Sequence, residues 1–323
     1  MWFWFALVAV LFWSGSDLFS KMGSKSDDPL SHWKLVITVG TVMGLHAFVM
    51  LILANIPNIE AVVGEAMAAE LPTAFTLEHI WLYLPASVCY IGSMILGYVG
   101  LRYLVLSVST PICNSSGAVV AILCFTVLGD RLDLLSSIGV ALICLGVFLL
   151  SILEYREQRR IERSENRRIG FISVAFPLLY CAIDALGTFL DGFLLYETDE
   201  AGNIVSGVIA EAPANIAYEL TFFLMAVVAF VYVVCIRKQS FKPSGEKPKW
   251  VAACCETAGQ LAYVYALAAN TMAAAPMISS YCLFSVLWAH IFLKEKLTLP
   301  KYVSIGVAVA GIVLLGVVEG LEG

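Results

Sequence analysis

The sequence predicts an all-α integral membrane protein with ten transmembrane helices, arranged as two inverted five-helix repeats. Three observations carry this prediction. The 323 residues are 60% hydrophobic and only 14% charged, whereas soluble proteins average about 25% charged residues. Ten segments reach the roughly 20 mostly apolar residues that a span requires. Residues 111–132 (PICNSSGAVVAILCFTVLGDRL) also align without a gap on residues 276–297 (PMISSYCLFSVLWAHIFLKEKL), placing Pro111 over Pro276, Ser115 over Ser280, Leu128 over Leu293 and Arg131 over Lys296. Both copies are followed by Ser-Ile-Gly-Val-Ala, from Ser137 and from Ser304. A duplicated membrane unit of this kind points to secondary transport.

The first half, residues 1–153, holds predicted spans at 2–20, 34–54, 80–103, 106–128 and 134–152. The opening segment is apolar but lacks a basic n-region and a small-residue cleavage site, so it reads as a retained helix and not a signal peptide. Between the second and third spans, residues 57–72 carry Glu60, Glu65 and Glu70 beside Val and Ala and read as a short surface helix. Residues 154–169, beginning EYREQRRIERSENRR, form a charged and solvated linker. The second half, residues 170–323, holds spans at 170–196, 214–236, 250–270, 274–293 and 299–318. Because each half has an odd number of spans, the second copy enters the membrane from the opposite side. The duplication extends beyond the first match. Gly97-Tyr98-Val99 aligns with Ala262-Tyr263-Val264, and Trp13-Ser14-Gly15-Ser16-Asp17 aligns more weakly with Tyr180-Cys181-Ala182-Ile183-Asp184.

Positive charge predicts the orientation. Of the 19 Lys and Arg residues, all but Arg131 fall in or beside the first, third, fifth, seventh and ninth loops. Basic loops face the cytoplasm, so both termini are expected outside and the linker 154–169 inside, in a plasma or inner membrane. The nine cysteines all lie in apolar runs. They read as small buried hydrophobes, without a disulfide frame, metal site or cofactor. No basic stripe suits nucleic acid.

The repeated unit resembles the EamA-like, ten-helix members of the drug/metabolite transporter superfamily. The residues that carry the resemblance are Ser109-Thr110-Pro111, 128–132 (LGDRL) and Ser137-Ile-Gly-Val-Ala in the first half. In the second half they are Ala275-Pro276, 293–297 (LKEKL) and Ser304-Ile-Gly-Val-Ala, and the Trp13-Ser14-Gly15 start adds to them. The chain departs from the family pattern at Gly117 and Cys282, where a second proline is frequent, and in its basic odd loops, since many members are basic at the amino terminus.

Polar side chains inside a span are costly and therefore mark function or pairing. Asp17 and Asp184 are repeat partners, and Glu256, Gln260 and Tyr263 share one face of the eighth span at spacings of four and three. With Tyr98, Asn114 and His46 they form the candidate substrate- and proton-binding set. Asp191 reads as a solvated acid near the outer surface, Glu219 as an acid suited to a helix N-terminus, and Asp130-Arg131 and Glu295-Lys296 as structural turns. An acidic cavity without a fixed internal cation favours cationic ligands and protons.

The expected function is secondary active transport of a small polar or cationic metabolite by alternating access, coupled to protons, with its site among spans one, three, four, six, eight and nine. The alternative is a multidrug or toxic-cation exporter of the same fold, for which Trp13, Tyr98, Tyr180, Tyr263, Tyr265 and Tyr281 supply aromatic surface. No HExxH or GxSxG motif supports an intramembrane enzyme.

Overall fold

A computed structural model of the chain describes residues 2–24, 28–64, 68, 71–103, 114–129, 131–164, 171–195, 197–198 and 204–322. Pro111, the first part of the fourth predicted span, Glu65, Glu70, Cys113, Asp130 and the end of the linker lie outside them. The principal helices are α1 (Trp2–Gly23), α2 (Ser31–Ala54), α3 (Leu77–Tyr103), α4 (Ser116–Leu123), α5 (Leu134–Ser164), α6 (Phe171–Leu194), α7 (Glu211–Phe230), α8 (Lys247–Ser279), α9 (Tyr281–Leu293) and α10 (Leu299–Glu322). Among the described residues of segment 57–72, Glu60–Val63 form a helical turn. Among the described residues, seven helical stretches are long and apolar enough to cross a bilayer, with α8 and α9 counted together as one. A short antiparallel hairpin, β1 (Glu197–Thr198) and β2 (Ile204–Ser206), joins α6 to α7.

The polarity of this surface is inverted relative to a soluble protein. Trp4, Leu45, Ile122, Leu224 and Val313 are exposed, whereas Asp191, Glu219 and Lys249 are buried. Lipid replaces water around the apolar exterior, and each helix satisfies its own backbone. Packing then depends on close approach at small residues. A Cβ on Gly40 would meet Ala226 Cβ at 2.6 Å where α2 crosses α7, and one on Gly146 would meet Ala308 Cβ at 2.6 Å where α5 crosses α10. The main helix pairs are α1 with α8, α3 with α6, α2 with α7 and α5 with α10.

The helices within the two matched copies begin and end alike. Ser115 (φ −68°, ψ −8°) precedes α4, and its aligned residue Ser280 (φ −70°, ψ −4°) precedes α9. A π-helical turn, Cys124–Leu128, extends α4 to Gly129, which has φ 79° and donates its N–H to Cys124 O. The aligned Lys294 ends α9 with φ 57° and donates to Ala289 O. Helix α8 runs through both the eighth predicted span and the start of the ninth, but it breaks at Asn270 (φ −164°, ψ 81°). The Asn270 side chain accepts a bond from Ala273 N–H at 3.0 Å, capping the segment that follows.

Ion pairs gather alternate loops at one end of the bundle. Lys21 pairs with Glu295, joining the end of α1 to the α9–α10 turn. Lys301 pairs with Glu154 at 2.8 Å and Glu157 at 2.7 Å, joining the start of α10 to the distal part of α5. Between α1, α2, α7 and α8, Lys34 binds Asp28 at 2.6 Å and Gln239 donates to Asp28 at 2.9 Å. Lys249 pairs with Glu246 and donates to Gly23 O at 2.8 Å. Burial pushes the Asp28 carboxyl up, but hydrogen bonds from Lys34, Gln239 and the Leu30 N–H outweigh it and hold the group below its ordinary 3.8.

Candidate functional site

A cavity of about 100 Å³ lies among α1, α3, α4, α6, α7, α8 and α9. Helix α1 contributes Trp13, Ser16, Asp17 and Ser20, which share a single face at i, i+3, i+4 and i+7, and α3 contributes Tyr90, Met94, Gly97 and Tyr98. Asn114 and Gly117 come from the start of α4, and Tyr180, Asp184 and Thr188 from α6. Tyr218 comes from α7. Helix α8 supplies Glu256, Gln260 and Tyr263 before its break and Ala275, Ile278 and Ser279 after it, and Tyr281 opens α9.

Seven of the eight predicted site residues therefore line one cavity: Asp17, Asp184, Glu256, Gln260, Tyr263, Tyr98 and Asn114. His46 does not. It faces α7, where its Nδ1 lies 2.8 Å from Glu219 Oε2. That pair also corrects the reading of Glu219. The residue is buried well inside α7, so it serves as a partner of histidine across the α2–α7 contact and not as a helix-terminal acid. Asp191 is corrected as well. It is buried and accepts hydrogen bonds from Tyr83 OH at 2.6 Å and Tyr90 OH at 2.5 Å. The aromatic surface is larger than the sequence suggested, since Tyr90 and Tyr218 join it, whereas Tyr265 instead stacks on Phe5 at 5.4 Å.

The three cavity carboxylates sit in two neighbourhoods. Asp17 accepts from Ser285 Oγ at 2.8 Å, and Ser16 hydrogen-bonds Glu256, which feels the charge of Asp17. Asp184 accepts from Ser116 Oγ at 2.7 Å and Ser93 Oγ at 3.2 Å. Among the described residues no Lys or Arg lines the cavity, and Lys21, one turn beyond Asp17, is held by Glu295. Between the acids the walls are aromatic, with Trp13 at 4.8 Å from Tyr263 and 5.8 Å from Tyr281, ring centre to ring centre. Trp13 Nε1, Tyr98 OH and Gln260 Nε2 are buried without a partner among the described residues. Buried donors are costly when unpaired, so these groups are suited to a ligand or to water. Hydroxyls solvating carboxylates, aromatic faces and a described lining without Lys or Arg make a site that stabilises positive charge.

The backbone at the α4 start explains how the wall is drawn together. A Cβ on Gly117 would lie 2.3 Å from Ser279 Oγ and 2.7 Å from Ala275 O, so only glycine lets α4 approach the distal part of α8. Tyr90, Thr188 and Tyr218 were missed by sequence reasoning. Tyr90 stands eight residues before Tyr98, with Met94 between them, and Thr188 one turn after Asp184, so helical spacing from the predicted residues carried the signal for both.

A model of the EamA-like transporter family matches residues 1–152 and 207–317. No curated protein matches the chain. One solved crystal structure aligns over 96% of this chain and 95% of its own with a TM-score of 0.60 at 11% sequence identity, which is a likeness of fold alone.

Proposed function

We propose that this chain, which belongs to the EamA-like transporter family and is thus a membrane transporter of the drug/metabolite superfamily, moves a small cationic metabolite by alternating access in exchange for protons. The observation that carries the reading is the convergence of Asp17, Asp184 and Glu256 on one cavity with no cationic side chain in its described lining. Carboxylates removed from water hold either a proton or another cation, so one cargo displaces the other. The two neighbourhoods of acid, on α1/α8 and on α6, give the cargo and the proton separate footholds.

The proposed architecture is ten spans in two inverted halves, residues 1–153 and 170–323, joined by the linker 154–169. Its support is the exchange pattern of helix contacts. Swapping the halves turns the α1–α8 pair into α6–α3 and leaves α2–α7 and α5–α10 unchanged. The matched starts and ends of α4 and α9 add to it. The end of the bundle that gathers Lys34, Lys249 and Lys301 is proposed to face the cytoplasm, with both termini outside. Export of larger aromatic cations is a second reading, favoured by the seven aromatic side chains of the lining.

The experiment is ligand-induced thermal stabilisation of the purified protein with amino acids, polyamines, nucleosides, sugars and cationic dyes at pH 6 and pH 8. Asp17→Asn, Asp184→Asn and Glu256→Gln run beside the wild type. A cation that stabilises more at pH 8, and fails in at least one variant, is the expected result. Stabilisation by a neutral or anionic compound, indifferent to pH and to all three variants, would refute the acidic-site mechanism. A preference for dyes over small amines would favour the exporter.

A further inference from the structure

Asp191 is not among the residues that line the cavity, yet it reaches the cavity through a chain of hydroxyls. Its Oδ1 accepts from Tyr83 OH at 2.6 Å and its Oδ2 from Tyr90 OH at 2.5 Å. Tyr90 and Tyr263 hydroxyl oxygens are 2.7 Å apart, and those of Tyr263 and Thr188 are 2.8 Å apart. An ionised Asp191 carboxylate can only accept, so both tyrosine hydroxyls donate to it.

Each hydroxyl owns one proton, and this fixes the direction of the chain. Tyr90 gives its proton to Asp191, so at the contact with Tyr263 it accepts. Tyr263 has then spent its proton on Tyr90, so Thr188 must donate to Tyr263. The opposite order would set two lone pairs against each other at 2.7 Å. We infer that Asp191 is a positioning residue for specificity. Through Tyr90 and Tyr263 it turns the hydroxyl protons of this wall away from the cavity, which then offers lone pairs and selects primary or secondary ammonium ligands over quaternary ammonium ligands of equal charge. The inference rests on reading the cavity as a cation site. Asp184, one turn before Thr188 on α6, supplies the charge, while Thr188 and Tyr263 supply the acceptors that an N–H-bearing ammonium alone satisfies.

The test is calorimetric titration of the purified full chain in micelles with n-butylammonium and with butyltrimethylammonium. The proteins are wild type, Tyr83→Phe, Tyr90→Phe and the double variant Tyr83→Phe/Asp191→Leu, which removes the carboxylate without stranding the Tyr83 hydroxyl. Wild type and Tyr83→Phe are expected to bind butylammonium about tenfold more tightly than butyltrimethylammonium, a difference of about 1.4 kcal/mol. Tyr90→Phe and the double variant are expected to bring the ratio within about twofold, through lost butylammonium affinity alone. An unchanged ratio in both would overturn the inference, as would equal loss of both probes, which is what mere structural damage predicts. A wild type that binds both probes equally overturns the inference and leaves the cation site standing. A wild type that binds neither overturns both.

Discussion

Replacing Lys249 by methionine isolates the energetics of the buried charge cluster at the end of the bundle. Asp28, Lys34, Glu246 and Lys249 are all buried, and their charges sum to zero. Methionine keeps most of the apolar stem and deletes the ammonium. Gly23 O then loses its donor, a cost of about 1 kcal/mol, and Glu246 is left, among the described residues, with Lys34 at 3.9 Å. Breaking a buried pair by removing one partner costs roughly 3–5 kcal/mol. The residual attraction to Lys34 places Lys249→Met at the low end, about 3 kcal/mol. Adding Glu246→Met removes the stranded anion, and the Asp28–Lys34 pair remains neutral. The double variant should therefore recover to within about 1 kcal/mol of wild type, since apolar replacement of a whole buried pair is often neutral. Equilibrium unfolding of the four proteins in mixed micelles measures the cycle. A double variant that costs as much as or more than Lys249→Met alone would refute the view that the penalty is the orphaned carboxylate.

Gly117→Ala should cost about 1–3 kcal/mol through overpacking, because its Cβ meets Ser279 and Ala275. Gly92→Ala, with nothing within 4 Å of the new Cβ, should be neutral or gain up to about 1 kcal/mol from helix propensity; the same unfolding assay reads both. Asp28 is held below its ordinary 3.8 in the folded protein, so its contribution is complete above that value and is lost as pH falls from 3.8 through the folded value. The unfolding midpoint should drop on acidification through that window, and Asp28→Asn should flatten the drop. A reporter that works only in the cytoplasm should be silent when fused after Gly323 and active when inserted in the linker 154–169; the reverse would overturn the proposed orientation.

Much of the cavity was legible in the sequence for one reason: an acid within an apolar run has nowhere to go but inward. Asp17, Asp184 and Glu256 announce themselves that way, and the duplication ties Tyr98 to Tyr263. The break at Asn270 was also readable, as a gap between two apolar runs. What was not legible is pairing across the chain. His46 and Glu219 are 173 residues apart, and nothing local to either predicts that they pair between α2 and α7.

Asp191 was misread for a more instructive reason. Distance along a helix places a residue in depth, and that depth suggested water. The actual partners are Tyr83 and Tyr90, 108 and 101 residues earlier. A seven-residue spacing on α3, Tyr83 to Tyr90, faces the same spacing on α6, Asp184 to Asp191. Two helices packed side by side and sharing a period bring their stripes into register. Depth along one helix therefore cannot decide whether a polar residue is wet. The stripe on its neighbour decides it, and in this bundle the neighbour of α6 is α3, which offers hydroxyls and not solvent.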